Sequence, residues 1–262
     1  MDLENLKSNI STNIIANDLF LFPEVSSTNE VIDKLFNDKY IGDGTVVISD
    51  HQTKGRGRYD RKWISPSGLN LYMSLLFKPD IEPSKFPIFT FLSSCALKDT
   101  FSLYNLSSSI KWPNDVLIGG KKISGVLTEL KYSDKYEVNY LIVGIGVNIN
   151  LTRQHIIKEM SDISEKVTSM SIELNNDVNR ELFTAELINK LDEYYSKFLN
   201  YGSSVILDDW LTKWDSIGKS IKVNVDGKLY EGIVKDVDEN GFLYLITEGY
   251  KTVKVISGDM IF

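Results

Sequence analysis

The chain has 262 residues, a formal net charge of −7 and a hydrophobic fraction of 42%, as expected for an ordinary soluble globular protein. It has no apolar run near the ~20 residues of a membrane span, and its N-terminus lacks the basic start and apolar core of a secretory signal. The acidic balance argues against DNA binding, and the single cysteine, Cys95, excludes an internal disulfide, so we expect a cytoplasmic protein that contacts no membrane.

Periodicity predicts mixed helices and strands up to about residue 216. Ser27 and Glu30 have the spacing of a capping box, which predicts that an amphipathic helix begins there. Pro87 is expected in the first turn of a helix, since proline is tolerated there. In chain order we predict strands at 45–49, 69–77, 122–130 and 136–149, and helices at 84–103 and 178–200.

From residue 218 the pattern changes to short alternating strands. The pairs Asp226-Gly227 and Asn240-Gly241 are typical of hairpin turns. About forty-five residues of this kind predict a small antiparallel barrel. We therefore predict a catalytic domain at 1–216 with an α/β fold, and a C-terminal β-barrel domain at 217–262.

Residues 51–63, HQTKGRGRYDRKW, form a cationic loop in an acidic protein. The planar guanidinium groups of Arg56, Arg58 and Arg61 donate hydrogen bonds in pairs and suit a carboxylate or polyphosphate. Gly55 and Gly57 allow positive φ and a close approach of the backbone to a ligand. These features predict an anion clamp; the alternative is a solvated basic loop or a nucleic-acid patch.

Two further segments offer polar groups. Ser27, Thr28 and Asn29 stand at the predicted helix start, where they either cap the helix or receive the polar head of a small ligand. In KWPND, proline restricts Trp112, and Asp115 follows at the start of a strand. Asp115 could help to hold Mg²⁺ among phosphates, or the segment could be a structural turn around a packed tryptophan.

The segment GGKKISGVLTEL predicts a tight hairpin followed by a strand. Strict alternation would place Lys122, Ser124, Val126 and Thr128 on one face, and Ile123, Gly125 and Leu127 on the other. Gly125 would leave room for a ligand against the sheet, and Lys122 would neutralise a carboxylate and the phosphate beside it. A KK pair by itself is usually a surface feature.

The remaining motifs exclude several kinds of site. VGIGVNIN lacks the third glycine and following helix of a dinucleotide fingerprint, and nothing matches a P-loop. Two histidines and one cysteine are too few for an ordinary zinc site or a Ser-His-Asp or Cys-His centre with any redundancy. Catalysis by positioning and charge neutralisation remains.

Taken in order, SSTNE, HQTKGRGRYDRKW, SPSGLNLYMSLLFKP, IKWPNDV, KKISGVLTEL and VGIGVNIN resemble the catalytic domain of biotin protein ligases. The likeness runs from about residue 20 to the C-terminus. It implies a mixed sheet related to class II aminoacyl-tRNA synthetases, followed by an SH3-like barrel. It also implies that biotin and MgATP form biotinyl-5′-AMP, from which biotin passes to a lysine of a biotin carboxyl carrier domain.

The resemblance also implies roles for individual residues. The catalytic residues would be Lys122, Arg58 and Asp115, with Asp115 also holding the metal. The biotin site would be formed by Ser27, Thr28, Asn29, Gln52, Arg56, Gly57, Arg58, Lys122, Gly125 and Leu127. The nucleotide site would be formed by Arg56, Arg58, Arg61, Trp63 and Asn148.

Two rival functions remain at this stage. A lipoate-protein ligase would use the same adenylation chemistry, although the full GRGR loop together with KWPND favours biotin. A non-enzymatic nucleic-acid or protein-binding module would use the basic loop, but the acidic charge disfavours it. Only about 20 residues precede the first motif, fewer than a winged-helix domain needs, so we expect a ligase without repressor function. The oligomeric state is left open between monomer and homodimer.

Overall fold

A computed structural model describes residues 1–261 of the chain. The larger α-helices and the strands alternate along the first 213 residues, and strands dominate the rest. The helices are α1 (Leu3–Ser8), α2 (Thr28–Lys39), α3 (Ile88–Leu103), α4 (Arg153–Glu159), α5 (Met170–Leu174), α6 (Arg180–Tyr201) and α7 (Ser203–Lys213). The strands are β1 (Leu19–Phe22), β2 (Val46–Ser49), β3 (Leu71–Phe77), β4 (Ser108–Lys111), β5 (Asp115–Ile118), β6 (Lys121–Ser133), β7 (Val138–Val147), β8 (Ser220–Val225), β9 (Lys228–Val237), β10 (Leu243–Thr247), β11 (Lys251–Val255) and β12 (Asp259–Ile261).

The first seven strands form one mixed sheet in the order β1-β2-β3-β7-β6-β5-β4. Strands β1 and β2 are parallel, and every other neighbouring pair is antiparallel. The long strands β6 and β7 lie near the middle of the sheet and pair along ten residues each. The motifs that the sequence singled out at residues 122–129 and 144–148 are therefore adjacent in space.

The two faces of this sheet bury different residues, because side chains alternate along a strand. Val46 and Ile48 of β2 belong to the large core under α3, α6 and α7, whereas Val47 packs with Ile32 and Phe36 of α2 on the opposite face. The result is a sheet covered by helices on both sides. This arrangement fixes α2, and therefore its first residues, against one face of the sheet.

The last five strands form a separate antiparallel sheet in the order β11-β10-β9-β8-β12. Asp226 and Gly227, both with positive φ, form the predicted tight turn between β8 and β9. Trp112 is buried in the large core and its indole N–H donates to the carbonyl of Gly241, 3.0 Å away. The C-terminal sheet is therefore bonded to the start of the KWPND segment. The domain boundary at 216/217 falls between α7 and β8 and stays a prediction.

The fold class is confirmed, but several local predictions are wrong. Helix α2 does begin at Thr28, but Ser27 makes no side-chain capping bond, and Ser26 rather than Ser27 donates to Glu30 at 2.6 Å. The helix predicted at 84–103 begins only at Ile88, because Pro87 precedes it as the capping residue.

The strict alternation predicted for β6 is also wrong. The register with β5 shifts so that Val116 pairs with Ser124 while Leu117 pairs with Lys122, which leaves Ile123 as an unpaired extra residue. Ile123 is buried in the core, and the Lys122 ammonium lies about 3.2 Å from the position that a Cβ would take at Gly125. The bulge therefore brings Lys122 onto the same face of the sheet as Gly125, whereas strict alternation had placed the two residues on opposite faces.

Cys95 is fully buried in α3, as expected for a small apolar side chain. Burial raises the pKa of its thiol, which disfavours the thiolate form that a nucleophile requires. Over residues 1–261, no helix is long and apolar enough to cross a membrane.

The core under α3 depends on stacked aromatic rings. Trp210 of α7 stacks on Phe91 and Trp214 with ring centroids 4.2 and 4.7 Å away, and its N–H donates to the Ser94 hydroxyl. We expect Trp210→Ala to lower the free energy of unfolding by about 3–5 kcal/mol, because it leaves a large cavity. Urea denaturation measures this loss. Leu103→Ala, at a side chain that is 55% exposed, should change the value by only about 0.5 kcal/mol; equal losses would contradict the packing argument.

Candidate active site

A cavity of about 700 Å³ opens between the seven-stranded sheet and the C-terminal sheet. Its walls come from the start of α2, the loop between β2 and β3, strands β5, β6 and β7, the segment before α5, and β12. Every residue predicted for the site lines this cavity: Ser27, Thr28, Asn29, Gln52, Arg56, Gly57, Arg58, Arg61, Trp63, Asp115, Lys122, Gly125, Leu127 and Asn148. Segments far apart in the chain are thus brought to one place.

One end of the cavity is polar and buried. Thr28 and Asn29 are almost fully buried, and the Oε1 of Gln52 accepts from the Thr28 backbone N–H at 2.9 Å. The Ser74 hydroxyl lies 2.7 Å from the Thr28 hydroxyl and 2.5 Å from the Asn29 amide oxygen. Ser27, whose side chain caps nothing, also lines the cavity. These groups form a hydrogen-bonding recess at the start of α2.

Two glycines of β7 make room for this recess and for the side chain next to it. A Cβ at Gly144 would lie 2.5 Å from the amide oxygen of Asn29, and a Cβ at Gly146 would lie 2.4 Å from the Trp63 ring. The ring of Trp63 therefore lies directly on the backbone of β7 and reaches Gly125 of β6. The two glycines of VGIGVNIN allow the side chains of Asn29 and Trp63 to lie close to the strand backbone. This explains why glycine occurs in a strand otherwise rich in β-branched residues.

The arginine loop is a small hairpin of its own. Gly57 N–H donates to Arg61 at 2.7 Å, and Trp63 N–H donates to Gly55 at 2.9 Å. The left-handed backbone occurs at Tyr59 and Asp60, so the expectation of positive φ at Gly55 and Gly57 is wrong. Gly55 is needed because a Cβ there would lie 2.5 Å from the Trp63 carbonyl oxygen, while a Cβ at Gly57 would have room.

Each arginine of this loop faces a carboxylate. Arg56 lies 3.9 Å from both Glu30 and Glu129. Arg58 lies 3.6 Å from Asp259 and also donates to the Gly258 carbonyl at 3.1 Å. Arg61 pairs with the same Asp259 at 2.5 Å. The C-terminal sheet therefore holds two of the three arginines at the mouth of the cavity.

A second group of charges lies on β4, β5 and β6. The Lys122 ammonium pairs with Asp115 at 2.7 Å and lies 5.3 Å from the ring centre of Trp63. Lys111 also lines the cavity, and its pKa is lowered by burial together with the nearby charge of Lys122, against the opposing effect of Asp115. In the KWPND segment, Trp112 packs in the core as the structural alternative expects, and Asp115 lines the cavity. The metal-binding role of Asp115 stays a prediction.

Asn148 stands at the end of β7, where its side chain donates to the Thr168 carbonyl at 3.0 Å. This bond ties β7 to the segment before α5. That segment brings Met160, Ile163 and Val167 to the cavity, an apolar wall for which the sequence offered no periodic signal.

Sequence reasoning missed several polar contributors, among them Ser74, Glu129 and Asp259. Ser74 is fully buried in the apolar strand β3, and a lone serine among large apolar residues was the signal that could have found it. Glu129 accepts from Asn29 at 2.6 Å, and Asp259 comes from the C-terminal sheet. Nothing in the local pattern around Asp259 indicates contact with a loop almost two hundred residues earlier.

Comparison with known families agrees with this geometry. Residues 21–148 match the Biotin/lipoate A/B protein ligase family, and residues 216–262 match the Biotin protein ligase C terminal domain. The described fold is similar to that of the biotin protein ligase from Aquifex aeolicus in complex with biotin and ATP, with a TM-score of 0.73 and 28% identity. That similarity covers 94% of this chain and 98% of the Aquifex chain.

Curated relatives give the same result. The bifunctional ligase/repressor BirA of Bacillus spizizenii is 31% identical over 97% of this chain and 77% of its own length. The biotin–[acetyl-CoA-carboxylase] ligase of Mycobacterium tuberculosis is 24% identical over 84% of this chain and 79% of its own length. On the strength of these matches, this chain belongs to the biotin protein ligase family and is a ligase.

Proposed function

We propose that the cavity is the site at which this enzyme carries out ATP-dependent biotinylation in two steps. The biotin carboxylate attacks the α-phosphorus of ATP, which gives biotinyl-5′-AMP and releases pyrophosphate. The amine of an acceptor lysine then attacks the acyl carbon and AMP leaves. One observation carries the proposal: a buried hydrogen-bonding recess and a concentration of cations share one cavity in an acidic protein.

The recess supports biotin rather than lipoate as the acid. The fused ring of biotin carries a urea with N–H donors and a carbonyl acceptor, whereas the dithiolane ring of lipoate offers no such groups. Thr28, Asn29 and Ser74 are nearly or fully buried, so a ligand in the recess lies against polar groups, which favour a ring that can form hydrogen bonds. Sites built around hydrogen bonds reject ligands that lack them by large factors.

The cations support adenylation. A carboxylate and a phosphate repel each other, and positive side chains that are already in place lower the cost of bringing them together. The cationic residues outnumber the two carboxylates, Asp115 and Asp259, that line the cavity. The cations are Arg56, Arg58, Arg61, Lys62, Lys111, Lys122 and Lys166.

We assign roles from these positions. Lys122, which lies beside Gly125 on the floor of the cavity, would bridge the biotin carboxylate and the α-phosphate. Arg56, Gly57 and Arg58 would close over that junction. Ser27, Thr28, Asn29 and Gln52 would bind the ring, with Gly125 and Leu127 beside its chain. Arg61, Trp63 and Asn148 would lie on the nucleotide side.

Magnesium is compatible with the donors present. Residues 1–261 contain no group of three or more His, Cys, Asp or Glu side chains that could hold a metal on their own. Mg²⁺ is commonly held by one or two carboxylates together with substrate phosphates, and Asp115 offers one carboxylate in the cavity. When bound, the ion would supply further neutralisation of phosphate charge.

The second step needs no nucleophile from the enzyme, because the adenylate is already activated. The acceptor lysine must lose a proton, and our candidate to assist is Asp115, a carboxylate that lines the cavity. The acceptor would be a biotin carboxyl carrier domain. The enzyme would act in the cytoplasm as a monomer or homodimer, and its reaction involves neither DNA nor a membrane.

The proposal predicts biotin-dependent exchange of labelled pyrophosphate into ATP. Exchange should require Mg²⁺ and should not occur with lipoic acid, because the recess is built for hydrogen-bonding groups. Exchange with lipoic acid in place of biotin would support adenylation as the reaction but would make lipoic acid, rather than biotin, the substrate. No exchange with either acid, from folded protein, would favour a binding module without catalysis.

Lys122→Ala should lower biotin-dependent pyrophosphate exchange by about 10²–10³-fold, the usual effect of removing one group that stabilises developing charge. Circular dichroism should show an unchanged fold. Lys121→Ala is the matched control, since Lys121 is the adjacent lysine but does not line the cavity. Near-normal exchange by the Lys122 variant would remove the assignment.

Arg58→Gly should leave adenylate formation measurable and raise the rate at which biotinyl-5′-AMP escapes. The guanidinium group covers the cavity through its bond to Gly258, and glycine cannot replace that contact. Trapping of released adenylate by free amines in solution measures the escape. Retention equal to that of the wild type would contradict a clamp role.

A further inference from the structure

Glu129 lies behind the polar recess and none of the roles above uses it. One oxygen of its carboxylate accepts from the Asn29 amide nitrogen at 2.6 Å, and the other lies 3.9 Å from the Arg56 guanidinium. A carboxylate has only acceptor atoms, so both of its neighbours here must be donors. This dictates which way the Asn29 amide points: its nitrogen faces Glu129.

The orientation of Asn29 in turn determines what Ser74 does. With its nitrogen on Glu129, Asn29 presents its oxygen to the Ser74 hydroxyl 2.5 Å away. A serine hydroxyl has a single hydrogen, and this bond uses it. Ser74 therefore cannot donate to Thr28, although their oxygens are 2.7 Å apart.

Thr28 is thus left between two acceptors. Its hydroxyl hydrogen goes either to Ser74 or to the Gln52 amide oxygen 3.1 Å away, and both choices use it within the protein. Its lone pairs alone remain for a ligand. If Asn29 were turned round, Ser74 would be free to donate to Thr28 and would occupy one of those lone pairs. The orientation of one amide therefore sets the polarity of the recess, that is, how many lone pairs of Thr28 remain to accept from a ligand.

We propose that Glu129 is a positioning residue that sets this polarity, so that Thr28 accepts an N–H of the ligand's cyclic urea. This proposal rests on the function proposed above. It adds the residue that orients the hydrogen-bonding groups of the recess so that they are complementary to a urea. The carboxylate is required because two donors, Asn29 and Arg56, face its two oxygens. A glutamine has one acceptor oxygen, so it can present an acceptor to Asn29 or to Arg56 but not to both. Asn29 has little room to move away, since it lies against the backbone of Gly144.

Glu129→Gln should raise the KM for biotin at least about tenfold, a loss of about 1.4 kcal/mol in binding. The KM for ATP should stay within about twofold, since the change lies in the recess. Glu30→Gln is the matched control. Glu30 is also 3.9 Å from Arg56, but its carboxylate accepts from the Ser26 hydroxyl rather than from Asn29. If both variants lose biotin affinity equally, loss of negative charge near Arg56 explains the effect and the relay is refuted.

A polarity swap separates this role from a purely structural one. In the double variant Asn29→Asp with Glu129→Gln, the glutamine nitrogen donates to the aspartate, whose other oxygen still accepts from Ser74. Asn29→Asp alone sets two carboxylates against each other. Because the pair is in direct contact, the two changes should be strongly non-additive. We expect the double variant to bind biotin more tightly than either single variant in calorimetry; additive losses would overturn the proposal.

The outcomes also separate this proposal from the function it rests on. If the wild type shows no biotin-dependent exchange, the proposed function fails, and the role of Glu129 in biotin binding fails with it. If the wild type exchanges normally and Glu129→Gln keeps its biotin KM, the function stands and the relay alone is wrong. Thermal unfolding of every variant identifies any loss that comes from the fold.

Discussion

The close grouping of cations around one cavity is the constraint on which the rest of the structure depends. Like charges repel, so each cation needs a counter-charge when no ligand is bound. The protein supplies these from separate elements: Glu129 for Arg56, Asp115 for Lys122 and Asp259 for Arg61. Ion pairs that are partly exposed contribute only about 0–1 kcal/mol, so a ligand carboxylate or phosphate can replace such partners at low cost.

The two sheets share this task. The seven-stranded sheet brings the recess and Lys122 together through its long central pair of strands, while the C-terminal sheet carries Asp259 to the loop. The bond between Trp112 and Gly241 fixes the second sheet beside the KWPND segment. The small unit is therefore part of the mouth of the site. Substitutions in the C-terminal sheet therefore affect the positions of Arg58 and Arg61 as well as the stability of the fold.

Backbone irregularity is concentrated where the site needs it. The bulge at Ile123 brings Lys122 round to the face of Gly125, and the bare backbone at Gly144 and Gly146 admits two side chains. Bulges and strand glycines cost pairing and packing, and they are tolerated where a side chain must be re-aimed or a close approach is needed. In the seven-stranded sheet both features belong to β6 and β7, which line the cavity.

Much of this could be read from local pattern. Periodicity found α2, α3 and α6 and the strands β2, β3, β6 and β7, because it depends on neighbours in the chain, but it missed α7, β1 and β4. The ordered motifs identified the family and residues that do line one cavity. Alternation failed at Lys122, because one extra residue in a strand reverses the facing of every residue beyond it. Glu129 and Asp259 were missed because their partners, Asn29 and Arg61, are distant in sequence. The sequence by itself thus determined which motifs supply the side chains of the site. The partner of each polar group, and with it the polarity of the recess, was decided only by tertiary packing.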